Sequence, residues 1–222
     1  MANIQTYTGL VSAVQETMED SSDETASYIP TAIEMAQLRL VRESDAPWLI
    51  VNSTVTGASG SRFLTKPTGY LIGNTVSFVT STGETKVLIK NTRSYCEKYW
   101  VWAATSTAEP KYYADYSNSS YLVAPTPDAE YNFDVAYVKR PAGISAGNET
   151  NEFTANMPDC LFYATMVEMG RFARNEFLRA NYETQYSQSM IAANNQDRRT
   201  RRDEGQAPLN PNVQVNTLRG EN

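Results

Sequence analysis

The sequence predicts an α+β fold: a helical bundle formed by N-terminal and C-terminal helix pairs, with a large β-rich insertion and an extended C-terminal arm. Three observations lead there. Apolar residues recur at helical spacing near both ends of the chain. Between them, from Trp48, β-branched and aromatic residues alternate and are broken by glycine-rich turns. After Arg202 neither period survives. Helices with one apolar stripe each are not stable alone, so the two terminal pairs are expected to cover one another. The expected divisions are 1–46 for the N-terminal helices, 47–141 for the insertion, 142–202 for the C-terminal hairpin and 203–222 for the arm.

Over residues 4–19, Ile4, Tyr7, Leu10, Val11, Val14 and Met18 keep close to a helical period, and Thr6 or Thr8 is placed to cap. Glu19–Glu24 is an acidic break. A second helix is predicted from about Thr25 to Ser44, with Ile29, Ile33, Ala36 or Gln37, and Leu40 inward and Pro30 near its first turn. Arg39, Arg42 and Glu43 fall on flanking faces and read as solvated. Predicted strands follow at Trp48–Thr56, Arg62–Leu64, Tyr70–Ile72, Thr75–Thr80, Glu84–Lys90, Tyr99–Ala104, Lys111–Tyr116, Ser120–Val123 and Tyr131–Lys139. The last alternates best, with Tyr131, Phe133, Val135 and Tyr137 on one face. A loop then leads to Asn156, a good N-cap, with Pro158 in the first turn of the next helix. That helix carries Leu161, Thr165, Met169 and Phe172, beside Phe162, Met166 and Ala173. Asn175 caps a turn, and Leu178, Tyr182, Tyr186, Met190 and Ala193 continue as the stripe of a final helix.

Composition narrows the function. The chain has 222 residues, 41% hydrophobic, enough for a real core. Its net charge of -6 argues against a chain that binds nucleic acid as a whole, which needs a basic face. No apolar run approaches the roughly 20 residues that span a bilayer, and the start MANIQTYTG has no signal-like core. The two cysteines, Cys96 and Cys160, read as buried free thiols rather than a bridge, and without histidine they make no closed zinc site. The absence of histidine also removes the Ser-His-Asp and Cys-His triads. Asp115, Asp128, Glu130 and Asp134 supply carboxylates, but no motif sets two at a working distance. No P-loop, dinucleotide fingerprint or clustered metal-ligand spacing is present, so no catalytic residue, cofactor or metal is expected.

Two features invite a functional reading. Tyr95, Tyr99, Trp100, Trp102, Tyr112, Tyr113, Tyr116, Tyr121, Tyr131 and Tyr137 crowd the second half of the insertion. They read either as sheet packing and interface residues or as a stacking surface for sugars or single-stranded nucleic acid; an acidic chain suits nucleic acid poorly, and sugars would make a carbohydrate-binding or tail-fibre-like module. The run Arg198, Arg199, Arg201 and Arg202 before the tail is either a solvated helix end or an arm that orders on a partner.

Several short patterns in fixed order resemble one family. They are Ile29-Pro30 with Ile33, Ala36, Leu38-Arg39 and Arg42-Glu43, then Ala124-Pro125-Thr126-Pro127 followed by Tyr131, Val135, Tyr137 and Lys139-Arg140-Pro141. They continue through Asn148, Thr150-Asn151, Pro158, Leu161, Tyr163 and Glu168 to Tyr182-Glu183 and Tyr186. Together, over roughly residues 25–45 and 120–200, they resemble the head–tail adaptor (connector) proteins of short-tailed bacteriophages. The resemblance implies a structural virion protein and no enzyme. It implies a ring, usually of twelve copies, between the portal protein and the tail nozzle or tail fibre proteins. DNA would pass through the lumen without specific binding, and no membrane is involved. Assembly would take place in the bacterial cytoplasm. The C-terminal segment would reach along the portal, with Arg198, Arg199, Arg201, Arg202, Leu209, Val213, Val215 and Leu218 as the portal-binding residues.

Overall fold

In a computed structural model, the structure describes residues 3–44, 46–80, 82–101 and 106–205, with side chains as far as Gln196. The fold is α+β, as the two hydrophobic periods require. The chain forms two compact units, one built from residues up to Ala46 and from Gly143 onward, the other from Pro47–Ala142.

The first unit is the helical bundle. Helix α1 (Tyr7–Met18) starts at Thr6, whose side chain accepts from the Gly9 amide, and it buries Leu10 and Val14. Helix α2 (Asp23–Glu43) is capped by Ser22 and begins two residues earlier than predicted, so Pro30 lies inside it. Both Ala36 and Gln37 are buried. The Gln37 side-chain oxygen accepts from the Ile144 amide at 3.1 Å and from Asn151 at 3.0 Å, which satisfies a buried polar group. The loop before Asn156 contains an unpredicted helix, α4 (Glu152–Asn156), fixed by a reciprocal capping box between Asn151 and Thr154. Asn156 therefore ends a helix instead of starting one. Helix α5 (Pro158–Phe172) follows from Met157, with Pro158 in its first turn and no side-chain cap. Every residue from Ala164 to Gly170 is buried, which makes α5 the centre of the bundle, packed on α1, α2 and α6. Asn175 accepts from the Leu178 amide and opens α6 (Glu176–Gly205), as expected. The predicted stripe holds: Tyr186 and Met190 are buried, and Leu178, Tyr182 and Ala193 are half-buried. The arm expected from Asp203 still belongs to α6 as far as Gly205, and from Gln206 it lies outside the described residues.

The second unit packs two four-stranded sheets. After a 3-10 turn at Pro47–Leu49, the strands are β1 (Ile50–Gly57), β2 (Phe63–Thr65), β3 (Tyr70–Val79), β4 (Thr85–Val87), β5 (Ile89–Lys90), β6 (Tyr112–Asp115), β7 (Ser120–Ala124) and β8 (Tyr131–Lys139). One sheet has the order β1-β8-β3-β4 and the other β2-β7-β6-β5, with only β5 and β6 parallel. Their facing sides make one core, in which Phe78, Phe133 and Val135 of the first sheet meet Leu64, Tyr113 and Tyr121 of the second. The alternation read in β8 is the observed one.

The departures from expectation have local causes. Two predicted strands merge into β3 because register shifts between Tyr70 and Ile72, and between Gly73 and Thr75, absorb the irregularity within one strand. The predicted strand Glu84–Lys90 divides at Leu88, whose amide bonds Val76 while Ile89 turns to the other sheet. Tyr99 ends a helix, α3 (Arg93–Tyr99), instead of opening a strand, and Trp102–Ala104 lie outside the described residues. Thr92 caps α3, and its Cys96 packs on Ala114, Leu122 and Ala124 of the second sheet's other face.

Candidate functional site

Arg198, Arg199, Arg201 and Arg202 belong to the backbone of α6, with side chains outside the described residues, and Leu209, Val213, Val215 and Leu218 lie outside them altogether. The aromatic run does not form one surface. Tyr113, Tyr121 and Tyr137 are buried between the sheets, whereas Tyr95, Tyr99 and Tyr112 cluster at half-exposed positions on α3 and β6. Cys96 and Cys160 are free and buried, and burial raises both thiol pKa values, that of Cys160 to about 11. Among the described residues no group of three or more Cys, Asp or Glu side chains could hold a metal ion, and no helix is long and apolar enough to cross a membrane.

Two arrangements stand out. The first is a charged groove in the β unit, an open cavity of about 790 Å³. Lys66, one of its lining residues, reaches β3, β6 and β7. Its Nζ lies 2.8 Å from Asp115 Oδ1, 4.4 Å from the Tyr70 ring centre and 4.8 Å from that of Tyr121, and its side chain is only 6% exposed. Lys90 approaches the other Asp115 oxygen at 2.9 Å. Burial alone would raise the Asp115 pKa, but the two lysines outweigh it and hold the carboxyl below its usual range. Gly73 leaves room here: a Cβ would sit 2.7 Å from the Tyr70 hydroxyl and 2.9 Å from the Tyr121 hydroxyl, so both rings would have to shift. A second hollow of about 770 Å³ shares Lys66, Gly69 and Arg140 and adds Lys139. The Arg140 guanidinium makes no ion pair or side-chain hydrogen bond among the described residues. The two hollows together are lined by four cations and one carboxylate, and that carboxylate already pairs with Lys66 and Lys90.

The second arrangement holds α6 to α2. Arg39, read from sequence as solvated, donates from Nη1 to Glu183 Oε2 at 2.9 Å and from Nη2 to the other oxygen at 2.5 Å. Its Nε bonds Glu43 at 3.0 Å, and its guanidinium lies 4.1 Å from the centre of the Tyr186 ring. The Tyr186 hydroxyl donates to Glu43 at 2.6 Å. The Arg39 hydrogen bond pulls the Glu183 pKa down, and burial and the Glu43 contact push the Tyr186 phenol up. Sequence reasoning had these residues in view as family positions, but 144 residues separate Arg39 from Glu183, and no local spacing marks the pair. Beyond this clamp α6 runs on. At 30 residues it is twice the length of the 15-residue α5, and none of its described side chains after Met190 is buried.

Helices clamped by ion pairs, a sandwich unit with a charged groove and a 30-residue terminal helix are the surfaces this chain offers. The sequence model of the SU10 adaptor protein family matches residues 5–212, and the chain belongs to that family. It is a bacteriophage head-to-tail adaptor, and its place is in the virion. No curated protein matches the chain.

Proposed function

We propose that copies of this chain form a ring, of twelve by the family resemblance, between the portal and the tail nozzle, with the C-terminal arm docked on the portal. The observation that carries the reading is α6. A 30-residue helix rises roughly 45 Å at about 1.5 Å per residue. A 15-residue neighbour reaches only half of that, so α6 runs on beyond it, and residues 191–196, none of them buried, offer a surface to a partner. The run Arg198–Arg202 at its end suits acidic groups on such a partner, and the tail from Asp203 would order there. Helical faces pack between neighbouring copies, and the β unit meets the nozzle or tail fibres. DNA passes the lumen without specific contacts, and assembly takes place in the host cytoplasm. The role requires no catalysis.

The test is deletion of Asp203–Asn222. The truncated protein is expected to keep its helical circular dichroism and to fail to join portal-containing heads in a reconstitution followed by native mass spectrometry. Normal head attachment by the truncated protein would overturn the portal-docking role of the arm.

A further inference from the structure

Charge is unevenly divided along this chain. Residues 47–142 hold nine Lys and Arg against seven Asp and Glu, a net of +2, which leaves -8 for the rest of the chain's -6. Residues 1–46 alone hold eight acids against two bases. Four of those acids sit at the α1–α2 corner, Glu19 and Asp20 in the turn and Asp23 and Glu24 in the first turn of α2, and all four residues are exposed. The turn is held in shape. Glu19 closes α1 in a left-handed conformation, Ser22 caps α2, and Asp20 bonds the Thr25 hydroxyl at 2.7 Å and the Ser22 amide at 2.9 Å. None of the four carboxylates has a cationic partner among the described residues.

The groove of the β unit is the complement. Lys90 and Arg140 line it with the Lys66–Asp115 pair, Lys139 lines the adjoining hollow with Lys66 and Arg140, and Arg140 is unpaired among the described residues. We infer that the acidic α1–α2 turn of one copy docks in the cationic groove of the β unit of the next copy. The inference rests on the ring reading and deepens it by naming the contact. Two different patches of the same chain make a heterologous contact, the kind that closes into a ring when the rotation permits. A pre-shaped turn loses little conformational freedom on docking. Solvent-facing ion pairs of this kind steer association and weaken with added salt.

The test uses the full chain titrated onto purified portal rings at low salt, with the number of bound copies counted by native mass spectrometry. Three variants are compared with the wild type: Lys139→Glu/Arg140→Glu, Glu19→Lys/Glu24→Lys, and the combination of all four changes. Each reversal alone is expected to raise the concentration for half-occupancy at least about tenfold, and the combination to return it to within about threefold of wild type. Arg140→Gln, which changes no fold-bearing contact, should give a smaller shift in the same direction and stands in if the double reversal fails to fold. A groove variant that fills the ring at the wild-type concentration would overturn the inference and leave the ring intact. So would two impaired single reversals whose combination is not restored, since the groove would then meet an acidic group of another protein. A wild-type chain that binds portals only as isolated copies, or not at all, would overturn the ring reading itself, and this contact with it.

Discussion

Arg39→Met tests whether the ion-pair clamp holds α6 to the bundle. Methionine keeps most of the aliphatic stem and removes the guanidinium. The arginine is 24% exposed at its side chain, against 40% for Glu183 and 43% for Glu43, so the pairs are screened and count as partly solvated. A bidentate pair at such a site contributes up to about 1 kcal/mol. The i,i+4 contact with Glu43 adds about 0.3–0.5 kcal/mol, and stacking over Tyr186 adds about 0.5–1 kcal/mol. The expected loss at neutral pH is about 2 kcal/mol, read from urea unfolding of the bundle by far-ultraviolet circular dichroism. The pH dependence has a definite sign. Glu183 is held below the ordinary glutamate range by Arg39, so its contribution is full above the unfolded value and disappears as pH falls through the folded one. The gap between wild type and variant should therefore narrow from about pH 5 downward. A loss under about 0.5 kcal/mol at neutral pH, or a gap that widens in acid, would refute the clamp.

Other substitutions probe other contacts. Gly170→Ala would put a Cβ 2.9 Å from the Arg179 backbone nitrogen, so α6 must shift away from α5; a loss of about 1–3 kcal/mol is expected in the same unfolding assay. Arg171→Met strands the Glu168 carboxylate, whose side chain is 6% exposed and which Arg171 grips at 2.8 and 3.0 Å; because Arg171 itself is half exposed, melting curves should show a loss of about 1–3 kcal/mol. Both thiols should resist iodoacetamide in the native protein and react on unfolding, because burial keeps them protonated and covered; mass spectrometry of quenched samples reads the count.

The fold was legible where one period ran long enough to exclude the other. The stripe through Leu178, Tyr186 and Met190 and the alternation through Phe133 and Val135 each point to one element with one inner face. Short elements gave less. Helix α3 buries one residue, Cys96, so it offers no stripe to detect, although Thr92 in front of it is an ordinary cap. The division at Leu88 arises from a change of sheet, a tertiary event with no local signature. The groove was harder still. Asp115 was in view as a carboxylate, yet its partners Lys66 and Lys90 lie 49 and 25 positions away and meet it only through the pairing of β5 with β6 and of β2 with β7. Family resemblance, by contrast, rested on order and spacing along the chain, which survive without any knowledge of contacts.

Strands β1 and β8 lie side by side, with Ile50 opposite Val138. The β unit therefore begins and ends at neighbouring points, and its whole chain path departs from and returns to nearly one place. An insert with that property makes small demands on its host, because a short linker could replace it without rerouting any helix. The same property lets the insert lengthen, shrink or be exchanged over generations while α2 and α5 keep their packing.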